Sequence, residues 1–341
     1  MKELPEVNAS FENLYGILIA PIRSKLLLAG IELGVFNHLS EPMSAETVAA
    51  AIGSHPENTR LFLDGLAACE LVTKKDGTYQ NTTTAQEFLV EGSQTYLGEL
   101  LTFQTQMSMY AGLDDLPELV REGPPPPTPE MDMASGEMWA QFAASMANSE
   151  LAGAAQQAAG IVSELPEFSA FKKMLYLGGG PGLIGTAIVA SHPGMSGVIF
   201  DQPAVTSVAR AFIEEYGLDD RMEVMGGDYM TDPIGDGYDL IWAKNTLNFA
   251  RDDMDSMIAK IYDALSPGGV FISCSEGLTH ERTKPGVMVL SMISLSLMGQ
   301  DMCFDQGEIA DSMLRVGFRS VRSRMLETDW GPMDLDIGRK A

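Results

Sequence analysis

Near the middle of the chain stands Leu175-Tyr176-Leu177-Gly178-Gly179-Gly180-Pro181-Gly182-Leu183-Ile184-Gly185. An apolar strand here runs into glycines and then into a helix. Glycines at such a turn let a ligand come close to the backbone at a helix N-terminus. Residues 180–185 fit the GxGxxG dinucleotide pattern. They fit equally the glycine loop that cradles S-adenosylmethionine, and a purely structural tight turn would use the same residues. Asp201, at the end of the next strand, can accept hydrogen bonds from ribose hydroxyls, which both cofactors carry. Gly227-Asp228-Tyr229 follows a third strand. An acid beside an aromatic ring there suits adenine, with the acid facing the amino group and the ring on the base. Leu265-Ser266-Pro267-Gly268-Gly269 then turns tightly into a fifth strand.

The elements that must hold these residues alternate. Strands are expected at 173–177, 197–200, 222–225, 239–242 and 270–273, with two more at 318–322 and 334–337. Helices fill most gaps. The segment 203–216 is the clearest, with Pro203 at its start and Val205, Val208, Ala209, Phe212, Ile213 and Tyr216 as one stripe. Such alternation implies a mainly parallel sheet covered on both faces, with ligands at the carboxyl ends of its strands.

The front of the chain reads differently. Residues 14–39 are apolar at helical spacing. Ser44 opens a second helix, and Asn58 opens a third carrying Phe62, Leu63, Leu66 and Cys69. Leu71-Val72-Thr73, a Lys74-Lys75-Asp76-Gly77 turn and Thr78-Tyr79-Gln80 then form a hairpin. Two short helices followed by a hairpin is a winged-helix layout. Its functional reading is DNA binding, and charge decides against it. Residues 44–91 hold three basic side chains (Arg60, Lys74, Lys75) against seven acidic ones, whereas a groove-reading helix needs basic flanks. The whole chain of 341 residues carries a net charge of −25, which argues against nucleic acid and anionic lipid alike. The length allows two or three domains, and 45% apolar residues supply a sizeable core.

Three scattered cysteines, Cys69, Cys274 and Cys303, indicate neither a disulfide framework nor a zinc site. No signal peptide is expected at the start, and the longest apolar run, 287–298, is too short to span a bilayer. The expectation is a cytoplasmic protein without membrane partners. Pro124 to Pro127, with Pro129 after it, mark a loop, and 137–157 is expected as a helical segment rich in Ala and Met. The 22 methionines suit an adaptable apolar pocket as well as a core.

Taken in order, the glycine loop, Asp201, Gly227–Tyr229 and the turn at 265–269 resemble the class I S-adenosylmethionine-dependent methyltransferases. From 14 to 337 the chain is similar to the O-methyltransferases of plant caffeate and acetylserotonin type and their bacterial antibiotic-tailoring relatives. The resemblance implies an α/β, Rossmann-like domain with a seven-stranded, mainly parallel sheet at 171–341. It also implies a winged-helix dimerisation domain at 1–100, a helical linker at 101–170 contributing to the substrate pocket, and a homodimer. The cofactor would be S-adenosylmethionine, contacted by Gly178, Gly180, Gly182, Asp201, Gln202, Asp228, Tyr229 and Lys244. The family's usual acid two residues before the first glycine is Tyr176 here, which removes a carboxylate from near the methionine amino group.

The same resemblance exposes a departure. Where the family carries Leu-His-Asp-Trp, with the His as base, this chain has Leu247-Asn248-Phe249-Ala250. Of two acids that orient the His, one is kept as Glu276 and the other matches Cys303. Asn248 cannot take a proton. Methyl transfer from an activated sulfonium depends mainly on in-line positioning, so three readings stay open. The acceptor needs little help, being an acidic hydroxyl (O-methylation is the family default), a ring nitrogen, a thiol or an electron-rich carbon; another acid such as Glu276, Asp301 or Asp305 serves as base; or the cofactor supports hydroxylation, decarboxylation or rearrangement without methyl transfer. His280 reads as a surface-loop residue, and Cys303 reads as an apolar filler rather than a reactive thiol. Trp139, Phe142 and Met146 on one helical face, and Met288, Met292 and Met298 on another, would line a pocket for a small, flat, aromatic or heteroaromatic acceptor. An NAD-dependent dehydrogenase rests on GxGxxG alone.

Overall fold

The computed structural model describes residues 4–105, 113–126 and 136–341. Pro127 and Pro129 of the expected proline loop lie outside them. Two compact units divide the chain after Thr102.

The first unit holds helices α1 (Glu12–Glu32), α2 (Ala45–Ala51), α3 (Pro56–Ala68) and α4 (Thr83–Phe88). A small antiparallel sheet in the order β1-β3-β2 joins Met43–Ser44, Thr78–Asn81 and Val72–Lys75. This is the winged-helix layout. The apolar stretch 14–39 is not one helix, because Gly34 in the left-handed region breaks it and a 3₁₀ turn follows at Val35–His38. Ser44 caps α2 through the Thr47 amide. The start of α3 lies two residues earlier than expected, with Pro56 in its first turn and His55 accepting from the Asn58 amide. Two of the three basic residues are spent within the unit. Arg60 pairs with Glu57 and Asp64, and Lys74 pairs with Asp64.

Helix α1 corrects the reading of apolar runs. By length and composition it is apolar enough to cross a membrane, and almost none of it is buried. Arg23 and Lys25 interrupt its run of apolar residues. Leu14, Ile17, Leu18 and Ile22 on α1 are exposed.

The helix α5 (Gly98–Gln104) spans the division between units, and α6 (Leu116–Glu122) follows. The second unit is built on a seven-stranded sheet in the order β11-β12-β8-β7-β4-β5-β6. Its parallel part comprises β4 (Lys173–Leu177), β5 (Ser196–Asp201), β6 (Met222–Gly226), β7 (Tyr238–Lys244) and β8 (Leu265–Ser275). Strands β11 (Ser320–Leu326) and β12 (Met333–Arg339) add antiparallel to that edge. The short strands β9 (Gly277–Leu278) and β10 (Phe304–Asp305) pair separately in parallel.

Alternate residues of each strand feed two cores, as a sheet covered on both faces requires. Met174, Tyr176, Ile199 and Trp242 face one side, packed with Ile184 and Ile188 of α9 (Leu183–Ala190) and Ala209 and Ile213 of α10 (Thr206–Glu215). Leu175, Leu177, Val198 and Ile241 face the other, against Ile258 and Ile261 of α11 (Met254–Ala264) and Met313 of α13 (Glu308–Val316). Helix α10 starts at Thr206, three residues after Pro203. The turn expected at 265–269 lies within β8, where Gly268 takes positive φ and the register against β7 shifts between Tyr238 and Leu240.

The helical stretch after residue 136 is not one helix. Helix α7 (Gly136–Ser149) passes through a π turn at Glu150–Ala154 into α8 (Ala155–Ser163). Gly153 at φ 137 makes the break. Helix α8 packs Ala158, Ile161 and Val162 into the same core as β4 and α9.

Candidate active site

At the carboxyl ends of β4, β5 and β7 a cleft of about 570 Å³ opens. Its floor is the turn at 178–181. Gly178 sits at φ +61, and a Cβ there would come within 2.6 Å of Thr246 Cγ2. Thr246 Oγ1 donates to the Leu177 carbonyl at 2.9 Å and so holds the end of β4 close beneath the loop. Gly182, also at positive φ, caps α9 and does not line the cleft.

Asp201 shapes the loop from β5. Its Oδ2 accepts from the Gly180 amide at 2.7 Å and its Oδ1 from the Gln202 amide at 2.7 Å. Burial pushes its carboxyl above the usual range, and the two amides oppose that shift. The Tyr229 hydroxyl donates to the Thr246 carbonyl at 3.0 Å, which fixes its ring across the cleft. Asp228 turns its carboxylate onto its own loop, accepting from the Met230 amide and the Thr231 hydroxyl. Gln202 and Lys244 complete the polar wall. Trp139, Phe142 and Met146 line the remainder beside Phe249. Trp139 stands edge-on to both Phe142 and Phe249, with centroids at 5.8 and 5.6 Å.

The other expected residues lie elsewhere. Met288 is buried in the core around β8 and β12, and Met292 packs against that core. Met298 ends α12 (Gly286–Leu297). None of the three lines the cleft. Methionine spacing on one helix cannot tell a pocket face from a core face, because both are apolar.

Asn248, Glu276 and residues 302–303 do come together, and Asn248, Glu276 and Cys303 are buried. Asn248 Nδ2 donates to the Met302 carbonyl at 2.7 Å and to Glu276 Oε2 at 3.3 Å. Its Oδ1 is buried without a partner. Burial pushes the Glu276 carboxyl up, with the Asn248 bond opposing. Nearby, Asp301 is held by Arg251 and Arg282, and Asp305 by Arg282. These ion pairs hold both acids in place on the outer face of the segment. Burial raises the Cys303 thiol to about 11 and the Cys274 thiol to about 12. A thiol-reactive dye at pH 8 should therefore label one cysteine of the native protein, the half-buried Cys69, and three after unfolding. Fast labelling of Cys303 in the folded protein would contradict its role as packing.

One functional candidate escaped the sequence reading. Glu150, the first residue of the π turn, also lines the cleft. Its oxygens accept from the Tyr176 hydroxyl and the Ile184 amide, each at 3.1 Å. The signals available were Gly153 inside a helical pattern and a tyrosine in place of an acid at 176.

Residues 129–319 match the O-methyltransferase domain, and residues 17–91 match the O-methyltransferase dimerisation domain. The chain belongs to the O-methyltransferase family. It is an S-adenosylmethionine-dependent methyltransferase. Among its relatives, the N,N-dimethyltransferase OxyT of Streptomyces rimosus is 27% identical, with 77% of this chain and 78% of the relative covered. The mitomycin biosynthesis 6-O-methyltransferase of Streptomyces lavendulae is 26% identical, covering 98% and 95%. The solved human N-acetylserotonin methyltransferase, in complex with S-adenosylmethionine, superposes with a TM-score of 0.79 at 22% identity, covering 99% and 100%. The methyltransferase thus has the class I fold that its family resemblance implied.

The cleft suits this cofactor on its own geometry. A positive-φ glycine floor admits a close ligand, the loop-bound Asp201 carboxylate lines the cleft, and Glu150, Asp201 and Asp228 outnumber Lys244. That surplus of negative charge fits a ligand bearing a sulfonium and an ammonium.

Proposed function

We propose that this small-molecule methyltransferase O-methylates a flat, aromatic or heteroaromatic acceptor whose hydroxyl is already ionised near neutral pH. Residue 248 carries the reading. An amide occupies the place of a base, and its nitrogen is committed to Glu276 and Met302. An amide has no basicity at neutral pH.

Bound S-adenosylmethionine supplies a methyl group already activated on sulfur. The chain must then hold the acceptor in line and keep water out, a contribution that can outweigh a general base. On this reading the loop at 178–182 with Asp201, Gln202, Asp228, Tyr229 and Lys244 holds the cofactor. Trp139, Phe142, Met146 and Phe249 give the acceptor aromatic faces and a thioether to lie against. Glu276 orients Asn248 and takes no proton from the acceptor. The relatives' names span both oxygen and nitrogen acceptors: one is a 3-hydroxy-5-methyl-1-naphthoate 3-O-methyltransferase and one an N,N-dimethyltransferase. That range supports a fold that positions acceptors of differing basicity.

The exposed apolar residues of α1 and the dimerisation-domain match support a homodimer formed through residues 1–100. Residues 171–341 form the cofactor domain, and 101–170 contribute to the pocket.

The test is methylation with labelled S-adenosylmethionine across phenols of graded pKa, aromatic amines and thiols. Rates should track the ionised fraction of the phenol and fall steeply for phenols of pKa near 10. Transfer to amines alone would overturn the oxygen assignment. Rates on ordinary phenols equal to those on acidic ones would reveal a working base.

A further inference from the structure

Glu150 has no assigned role in methyl transfer, yet its position is costly to maintain. It is 4% exposed and sits on a π turn made by Gly153. Such turns break helical pairing and occur often at functional sites. A buried carboxylate needs compensation for the water it loses. Here the compensation is partial. Tyr176 gives one hydroxyl hydrogen, Ile184 one amide hydrogen and the Leu183 amide a further contact, whereas a carboxylate can accept about four hydrogen bonds. Among the described residues no cation forms an ion pair with it. Desolvation accordingly raises it to about 7, with Lys244 the chief opposing charge.

The remaining acceptor capacity belongs to a group that lines the cofactor cleft beside Gly178, Gly179 and Lys244. Tyr176 lies two residues before the glycine loop and spans the space from β4 to the π turn. A phenol at 176 provides no negative charge itself, but its hydroxyl fixes the carboxylate of a residue 26 positions earlier. We propose that Glu150, oriented by Tyr176, receives the cationic amino group of S-adenosylmethionine. The assignment rests on the reading that this cleft holds that cofactor. It makes Glu150 a binding residue and Tyr176 its positioning residue.

The experiment is calorimetry on the full-length protein with two probes, S-adenosylhomocysteine and its analogue lacking only the amino group. Glu150→Gln should weaken S-adenosylhomocysteine about 10- to 100-fold, the scale of one charge-assisted bond, and leave the analogue within about twofold. Tyr176→Phe should show the same selectivity at smaller size. Wild-type protein gives a second reading should the variants fold poorly. Tyr176 from β4, Lys244 from β7 and the amides opening α9 face the Glu150 carboxyl. Its ionisation should make affinity for S-adenosylhomocysteine fall as pH drops from 8 to 6, with the analogue unaffected. Equal weakening of both probes by Glu150→Gln would overturn the proposal and leave Glu150 as a cap for α9. Unchanged affinity with slower turnover would also overturn it and move Glu150 to the acceptor side. Failure of the wild type to bind either probe would instead defeat the cofactor reading beneath it.

Discussion

Asn248→His is expected to raise the rate on unactivated phenols about 10²- to 10⁴-fold, the usual contribution of a placed general base. The surroundings are already suited to an imidazole. Asn248 Nδ2 points at two acceptors, the Met302 carbonyl and Glu276 Oε2. A histidine nitrogen in that direction would find the same acceptors and be fixed in one tautomer, leaving the other nitrogen basic. The Glu276 carboxylate would favour the imidazolium that forms. Acceptors that are already ionised should gain little, since their proton is gone before attack. The comparison is therefore a ratio of rates on a weakly acidic and a strongly acidic phenol, before and after substitution. A variant that binds cofactor normally and leaves that ratio unchanged would show that the acceptor does not sit beside residue 248.

Asp201→Ala should weaken S-adenosylhomocysteine about 100-fold, measured by calorimetry. Two effects add. The carboxylate accepts from the Gly180 and Gln202 amides, each at 2.7 Å, and hydrogen bonds to a charged acceptor are worth about 1.5–3 kcal/mol each. Losing them leaves the Gly180 amide without its partner and frees the loop to sample other shapes. On the proposed cofactor reading, the ribose would also lose its acceptor. Asp228→Ala should cost less, about tenfold, because Asp228 is exposed and serves mainly its own turn. Equal losses at both positions would mean that the loop-shaping bonds contribute nothing to affinity.

The parts of this site that were legible from residues alone are those whose physics is local. Gly178, Gly180 and Gly182 take positive φ, which glycine tolerates best, so their spacing announces the turn. Asp201 ends a strand beside that turn, and strand ends are set by apolar runs. The pairing of Asn248 with Glu276 was legible only through family resemblance, since 28 residues separate them. The methionines show the opposite case. Met146 lines the cleft and Met288 lies in the core, although both are apolar residues on helices.

By itself the sequence determined the alternation of strands and helices, the glycine turn with its acid, the acidic winged-helix front and, at 248, an amide that cannot take a proton. Each follows from backbone preference, apolar period or residue chemistry within a short window. Tertiary structure alone decided which apolar faces became pocket and which became core. It alone brought Glu150 from a broken helix onto Tyr176 and the start of α9. That outcome depends on where a π turn lets a helix bend and on what lies across the core from it. Burial and partnership of this kind are properties of packing between distant segments, and no spacing within one segment encodes them.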